Sequence, residues 1–106
     1  MPKYLVQVNY AAEGAKGLLR EGGSKRRSAA QAGIESVGGR LESMYFAFGD
    51  ADAIVIVDMP DHASAAALSV ALAASGGTTG RTTVLITPEE MDAAVKKAPV
   101  YRAPGQ

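Results

Sequence analysis

Residues 46–60 read FAFGDADAIVIVDMP, from Phe46 to Pro60. Apolar runs flank the short polar connection Gly49-Asp50-Ala51-Asp52, which is a hairpin signal. The run after it, Ala53 to Val57, is apolar at every position, and Pro60 stops the strand that begins there. A strand without polar alternation is built to be covered on both faces. One layer of helices covers only one face of a sheet. The pattern therefore predicts helices on one side of a sheet and a second subunit against the other.

The rest of the composition agrees with that need for outside cover. At 106 residues the chain is one domain. Apolar residues make up 47%, but many are Ala, aromatics reach only 6%, and Trp is absent. Such a core buries little area per residue, and partner chains are expected to supply the remainder. Lys plus Arg equals Asp plus Glu at 11 each, so the whole chain is not a polycation aimed at nucleic acid. The neutral total is split: residues 1–40 are predominantly basic, while residues 41–62 hold five acidic residues and no basic one. No Cys is present, which excludes disulfides, thiolate metal sites and Cys nucleophiles. A single His excludes a His-rich metal site within one chain, and no cofactor is expected. No signal-peptide region and no apolar run of membrane-spanning length is visible, so a cytoplasmic location and no membrane partner are expected.

Working outward toward the N-terminus, Arg40 to Phe48 alternates as a strand, with Leu41, Ser43, Tyr45 and Ala47 on one face and Glu42, Met44, Phe46 and Phe48 on the other. Before it, Ser24 is placed to cap a helix from Lys25 to Val37, with Ala30, Ile34 and Val37 as its stripe. Lys25, Arg26 and Arg27 fall in its first turn, the unfavourable sign for the helix dipole. They form either a solvated basic face or, with the free amides, an anion site. Ala11 to Glu21 reads as a weaker helix containing Gly14 and Gly17 and closed by Gly22-Gly23. Gly17 to Ser24 has Walker-type glycine spacing, but Gly23 stands where the phosphate-binding Lys belongs, and the match is rejected. Tyr4 to Tyr10 is a strand whose second face turns polar through Gln7 and Asn9.

Toward the C-terminus, Asp61 caps a helix from His62 to about Ser75, with Ala65, Leu68 and Leu72 toward the sheet. Ala67, Val70, Ala71 and Ala74 leave a second apolar side. Thr78 to Thr87 is the last strand, with Arg81 alone among Thr residues. Thr87-Pro88-Glu89-Glu90 is a helix start with a capping box, and Lys96-Lys97 ends that helix. The expected organisation is a domain over residues 1–97 and an extended tail over 98–106 that meets a neighbouring chain through Val100 and Tyr101.

Strand, helices, strand, hairpin, strand, helix, strand is the order of a ferredoxin-like sandwich: α+β, with a four-stranded antiparallel sheet and helices on one face. At the hairpin the sequence resembles the GYD family, named for a Gly-x-Tyr-Asp turn; here Gly49 and Asp52 stand and the Tyr is Ala51. The likeness extends through Tyr10 and Gly14, KGLLREGGSKRR (16–27), Gly38-Gly39, Tyr45 to Phe48, Val57 to Pro60 and TPEEMDAAVKK (87–97). The resemblance implies a ferredoxin-like fold related to dimeric α/β-barrel assemblies, and no established activity.

Three functions are weighed. The first is a homo-oligomeric module binding a polar or anionic small molecule in a pocket between sheet and helices, with Gln7, Asn9, Tyr10, Tyr45 and Arg81 as polar groups and Lys25, Arg26 and Arg27 as further candidates. The second is a cofactor-independent enzyme of dimeric-barrel type with His62 or Asp58 as base. The third is an accessory or scaffold subunit docking through its basic first half. Nucleic acid is not an expected partner, since no aromatic residues interleave the Lys25–Arg27 cluster.

Overall fold

The all-apolar run becomes an inner strand. The computed structural model describes residues 1–106, which form β1 (Lys3–Tyr10), α1 (Ala12–Ser36), β2 (Arg40–Phe46), β3 (Ala53–Asp58), α2 (His62–Ala74), β4 (Thr78–Leu85) and α3 (Pro88–Lys97). The sheet order is β2-β3-β1-β4 and every neighbouring pair is antiparallel. β3 thus lies between β1 and β2, with both edges hydrogen-bonded; the helices over one face account for Ala53, Val55 and Val57, and no helix of this chain covers Ile54 and Ile56 on the other. The fold is α+β, a four-stranded antiparallel sheet with three helices.

α1 and α2 cross the same face of the sheet. Beneath them lies a small core of Tyr4, Val6 and Val8 from β1, Ala53, Val55 and Val57 from β3, and Met59, sealed by Ile34 of α1 and Ala65 of α2. Val37, Leu41, Met44, Leu68 and Leu72 pack around it. The stripe expected on α2 is the one that faces the sheet, and Asp61 caps that helix, its Oδ1 accepting from the Ser64 amide at 2.7 Å. That hydrogen bond holds the Asp61 carboxyl below the usual carboxylate range. Only 11 of 106 residues are buried, as an Ala-rich, ring-poor composition leads one to expect.

Several boundaries differ from the sequence reading, each for a local reason. β2 ends at Phe46 and not Phe48, because residues 47–52 form a longer connection closed by a 2.9 Å bond from the Ala47 amide to the Asp52 carbonyl. β4 ends at Leu85, since Ile86 and Thr87 already lead into the helix cap. The two helices expected before β2 are both present, joined within Ala12–Ser36 across a kink at Gly22, the expected end of the first; Ser24 lies inside the second helix instead of capping it. Gly14, read as a weak point, permits a close approach: a Cβ there would collide with the Gly77 carbonyl, which accepts from the Ala11 amide at 2.9 Å.

In β2 a register shift between Leu41 and Ser43 breaks the simple alternation. Leu41 stands opposite Val57 and Met44 opposite Val55, so both belong to the helical face, while Ser43 and Tyr45 stand opposite Ile56 and Ile54 on the open one. Leu41 and Tyr45, expected on one face, are therefore on opposite faces.

After β4 the chain leaves the body. α3 has its capping box, with Thr87 Oγ1 accepting from the Glu90 amide at 3.1 Å and the Glu90 carboxylate accepting from the Thr87 amide at 3.0 Å. Every residue from Ile86 to Gln106 is exposed, and residues 98–106 carry no helix or strand.

Candidate functional site

Gly22 sits at φ 80° and ψ 173°, a conformation closed to side-chain-bearing residues. It breaks α1 where the helix passes the end of β2. The break leaves a cleft of about 490 Å³ between α1 and the 46–52 segment. Tyr10, Leu18, Phe46 and Phe48 line it, with Gly22 and Gly23 along the helix wall and Asp52 at its polar end. Asp52 Oδ2 accepts from the Tyr10 amide at 2.8 Å and its own amide donates to the Val8 carbonyl at 2.9 Å. The carboxylate thus ties the connection to the end of β1 and fixes the cleft floor.

A second recess of about 310 Å³ adjoins the first across Gly23 and Phe46, and Arg27, Ser24, Met44 and Tyr45 complete it. The expected cluster of three cations does not act as one. Successive residues turn about 100° around a helix. Arg27 faces this recess, Arg26 turns toward a smaller one of about 170 Å³ with Tyr10 and lies 4.0 Å from Glu21, and Lys25 is exposed.

The five polar candidates are likewise divided. Directly opposed residues on antiparallel strands share a face. Tyr45, Ile54, Gln7 and Arg81 are partners across the four strands and form one transverse row on the open face. Strands lie about 4.8 Å apart, so Gln7 and Arg81 are neighbours and Tyr45 stands two strands from Gln7. Asn9 follows two residues on, and Gln7, Asn9, Ala51 and Arg81 border a recess of about 240 Å³. Arg81 has no ion-pair partner within the chain. Tyr10 belongs to the other face, in the cleft.

The two acid–base candidates differ. Asp58 is buried and held by two cations: Lys3 Nζ donates to Oδ1 and Arg40 donates to Oδ2, each at 2.8 Å, while Lys3 also reaches Glu42 at 2.6 Å. The Lys3 hydrogen bond, helped by Arg40 and opposed by burial, holds the Asp58 carboxyl below its usual range. A carboxylate so stabilised is a weak base. His62 is exposed, and its Nδ1 hydrogen-bonds the hydroxyl of the buried Tyr4, the two rings meeting edge to face at 6.0 Å. His62 borders a recess of about 480 Å³ with Pro2, Val84, Leu85, Ile86 and Glu90. No three or more His, Asp or Glu side chains come together as a metal-ligand group, and no helix is long and apolar enough to cross a membrane.

Leu18, Phe46, Phe48 and Asp52 were not singled out from the sequence. Asp52 had a signal, being the Asp retained in the Gly49–Asp52 turn. The others depend on where the helix breaks.

No curated protein and no solved structure matches the chain. The model of the GYD domain matches residues 4–95, spanning β1 through most of α3 and including the Gly49–Asp52 turn, the kinked helix and the cleft between them, and the chain belongs to the GYD domain family.

Proposed function

We propose that the protein is a homo-oligomeric small-molecule-binding module of ferredoxin-like, dimeric α/β-barrel type. The observation that carries this reading is the cleft at Gly22. Its size falls in the usual range for ligand sites, and its lining combines apolar and aromatic walls with few polar groups. The adjoining Arg27 recess suits a carboxylate or phosphate, because guanidinium binds such groups in fork geometry. The ligand would have an aromatic-sized apolar body and an anionic end. Leu5, Ile54 and Ile56, partly exposed on the face that no helix of this chain covers, support association with a second copy.

Fluorescence titration with 2-naphthoate and its neutral analogue 2-naphthamide tests the site. Naphthoate should bind more tightly. Phe46→Ala should weaken both probes about tenfold, while Arg27→Gln should abolish the preference for the acid. Binding unaffected by either substitution would overturn the reading.

The hydrogen-bonded Tyr4–His62 pair beside its own recess favours one second reading, a cofactor-independent acid–base enzyme with His62 as the proton-transferring group. Turnover in a substrate screen that is lost in His62→Ala would favour it. The same turnover in His62→Ala would exclude it.

A further inference from the structure

We infer that residues 86–106 are a docking arm for a second copy of this chain, in which α3 packs antiparallel against the partner's α3. The inference deepens the homo-oligomeric part of the proposed function and rests on it.

Surface area is the first observation. The chain exposes 7304 Å². A compact monomer of this mass exposes about 5,600 Å², leaving an excess of about 1,700 Å². A standard interface removes about 800 Å² from each partner, and permanent homodimers remove considerably more. The excess is therefore what one side of a permanent dimer would cover. Shape agrees: the radius of gyration is 16.8 Å, against about 13 Å for a compact chain of some 100 residues. The longest extent is 56 Å against 32 and 23 Å for the other two.

The arm itself is the second observation. A ten-residue helix is marginal in water without a packing partner, yet every residue of α3 is exposed and none is buried against the body. Met91 and Val95 lie one turn apart on one side, with Ala94 and Ala98 beside them, and Val100 and Tyr101 follow in the tail. All four large residues are at least half-exposed. Only Ile86 and Thr87 separate α3 from β4, so the short connection and the capping box direct the helix off the body.

Charge selects the partner. α3 is acidic at its start (Glu89, Glu90, Asp92) and basic at its end (Lys96, Lys97), and none of these side chains forms an ion pair within the chain. Two such helices crossed antiparallel about a two-fold axis set each acidic end against a basic one, while Met91 and Val95 form the shared seam. The surface is self-complementary, as an isologous interface requires.

Sedimentation of the full-length chain across a concentration series tests the inference. The parent should be a dimer. Met91→Lys with Val95→Lys should raise the dimer dissociation constant at least a hundredfold, with the urea midpoint of the body unchanged because both residues are exposed, and with any loss of helical circular dichroism confined to the ten residues of α3. Lys96→Glu with Lys97→Glu should also weaken the dimer, and mixing that chain with Glu89→Lys/Asp92→Lys should restore association. Arm variants that dimerise as tightly as the parent would overturn the arm. If Ile54→Lys on the open face then dissociates the dimer, the oligomer reading survives and the arm alone fails. A parent that stays monomeric overturns both.

Discussion

On the helical face of β3, Ala53, Val55 and Val57 are almost wholly removed from solvent, whereas Ile54 and Ile56, one residue away along the same strand, keep a larger exposed fraction on the other face. All five are aliphatic, and both neighbouring strands hydrogen-bond to β3. What differs is whether this chain supplies a second layer. α1 and α2 cover one face, and the only other helix, α3, points away. Apolar character in a strand therefore says that the residue favours cover, without saying whether its own chain supplies it.

The sharpest way to break the comparison is Met59, which is 0% exposed at the end of the covered face. Met59→Ala should cost about 2–5 kcal/mol in urea unfolding. Ile54→Ala on the open face should cost about 1 kcal/mol in dilute protein and act mainly on association.

Gly22→Ala probes the break in α1. The conformation at Gly22 should make the substitution cost roughly 1–3 kcal/mol, read as a lowered urea midpoint, together with weaker naphthoate binding as the cleft changes shape.

Asp58 tests the one charged group held by two cations at the rim of the open face. Asp58→Asn should cost about 1–3 kcal/mol at neutral pH. Because the folded carboxyl titrates below an unfolded Asp (about 3.9), its contribution is complete above that value and is lost as pH falls through the lowered one. The parent should thus lose stability in acid more steeply than Asp58→Asn. Lys3, raised chiefly by its bond to Asp58 and then by Glu42, behaves oppositely: its contribution is complete below the ordinary lysine range and is lost as pH rises through the raised value. Equal acid slopes for parent and variant would refute the assignment. At the bottom of the scale, Val70→Ser on the exposed side of α2 should change monomer stability by no more than about 0.5 kcal/mol.

Much of the fold was legible because its signals are local. Period-two patterning marked β1, an unbroken apolar run marked β3, Pro60 marked a stop, and Asp61 and Thr87 marked helix starts through hydrogen bonds spanning three residues. The candidate site was less legible. Of the five polar residues singled out, four share the open face and only Tyr10 reaches the cleft, since a strand sends neighbouring side chains to opposite sides. The register shift after Leu41 then moved β2 residues relative to one another, and an alternation count cannot detect an extra residue. The cluster at 25–27, read as either a solvated basic face or an anion site, is contiguous in the sequence and spread around a helix in the fold.

Short-range chemistry was thus enough for the order of elements, the caps at Asp61 and Thr87 and the apolar stripes of β1 and α2. Each depends on a few neighbouring residues and on the fixed periods of helix and strand. Packing alone made the cleft, because Leu18 is distant in sequence from Phe46 and Asp52 and meets them only once α1, broken at Gly22, is laid across the end of the sheet. Packing also left α3 standing clear of the body, since the direction of a helix after a two-residue connection depends on what the strand before it is paired to.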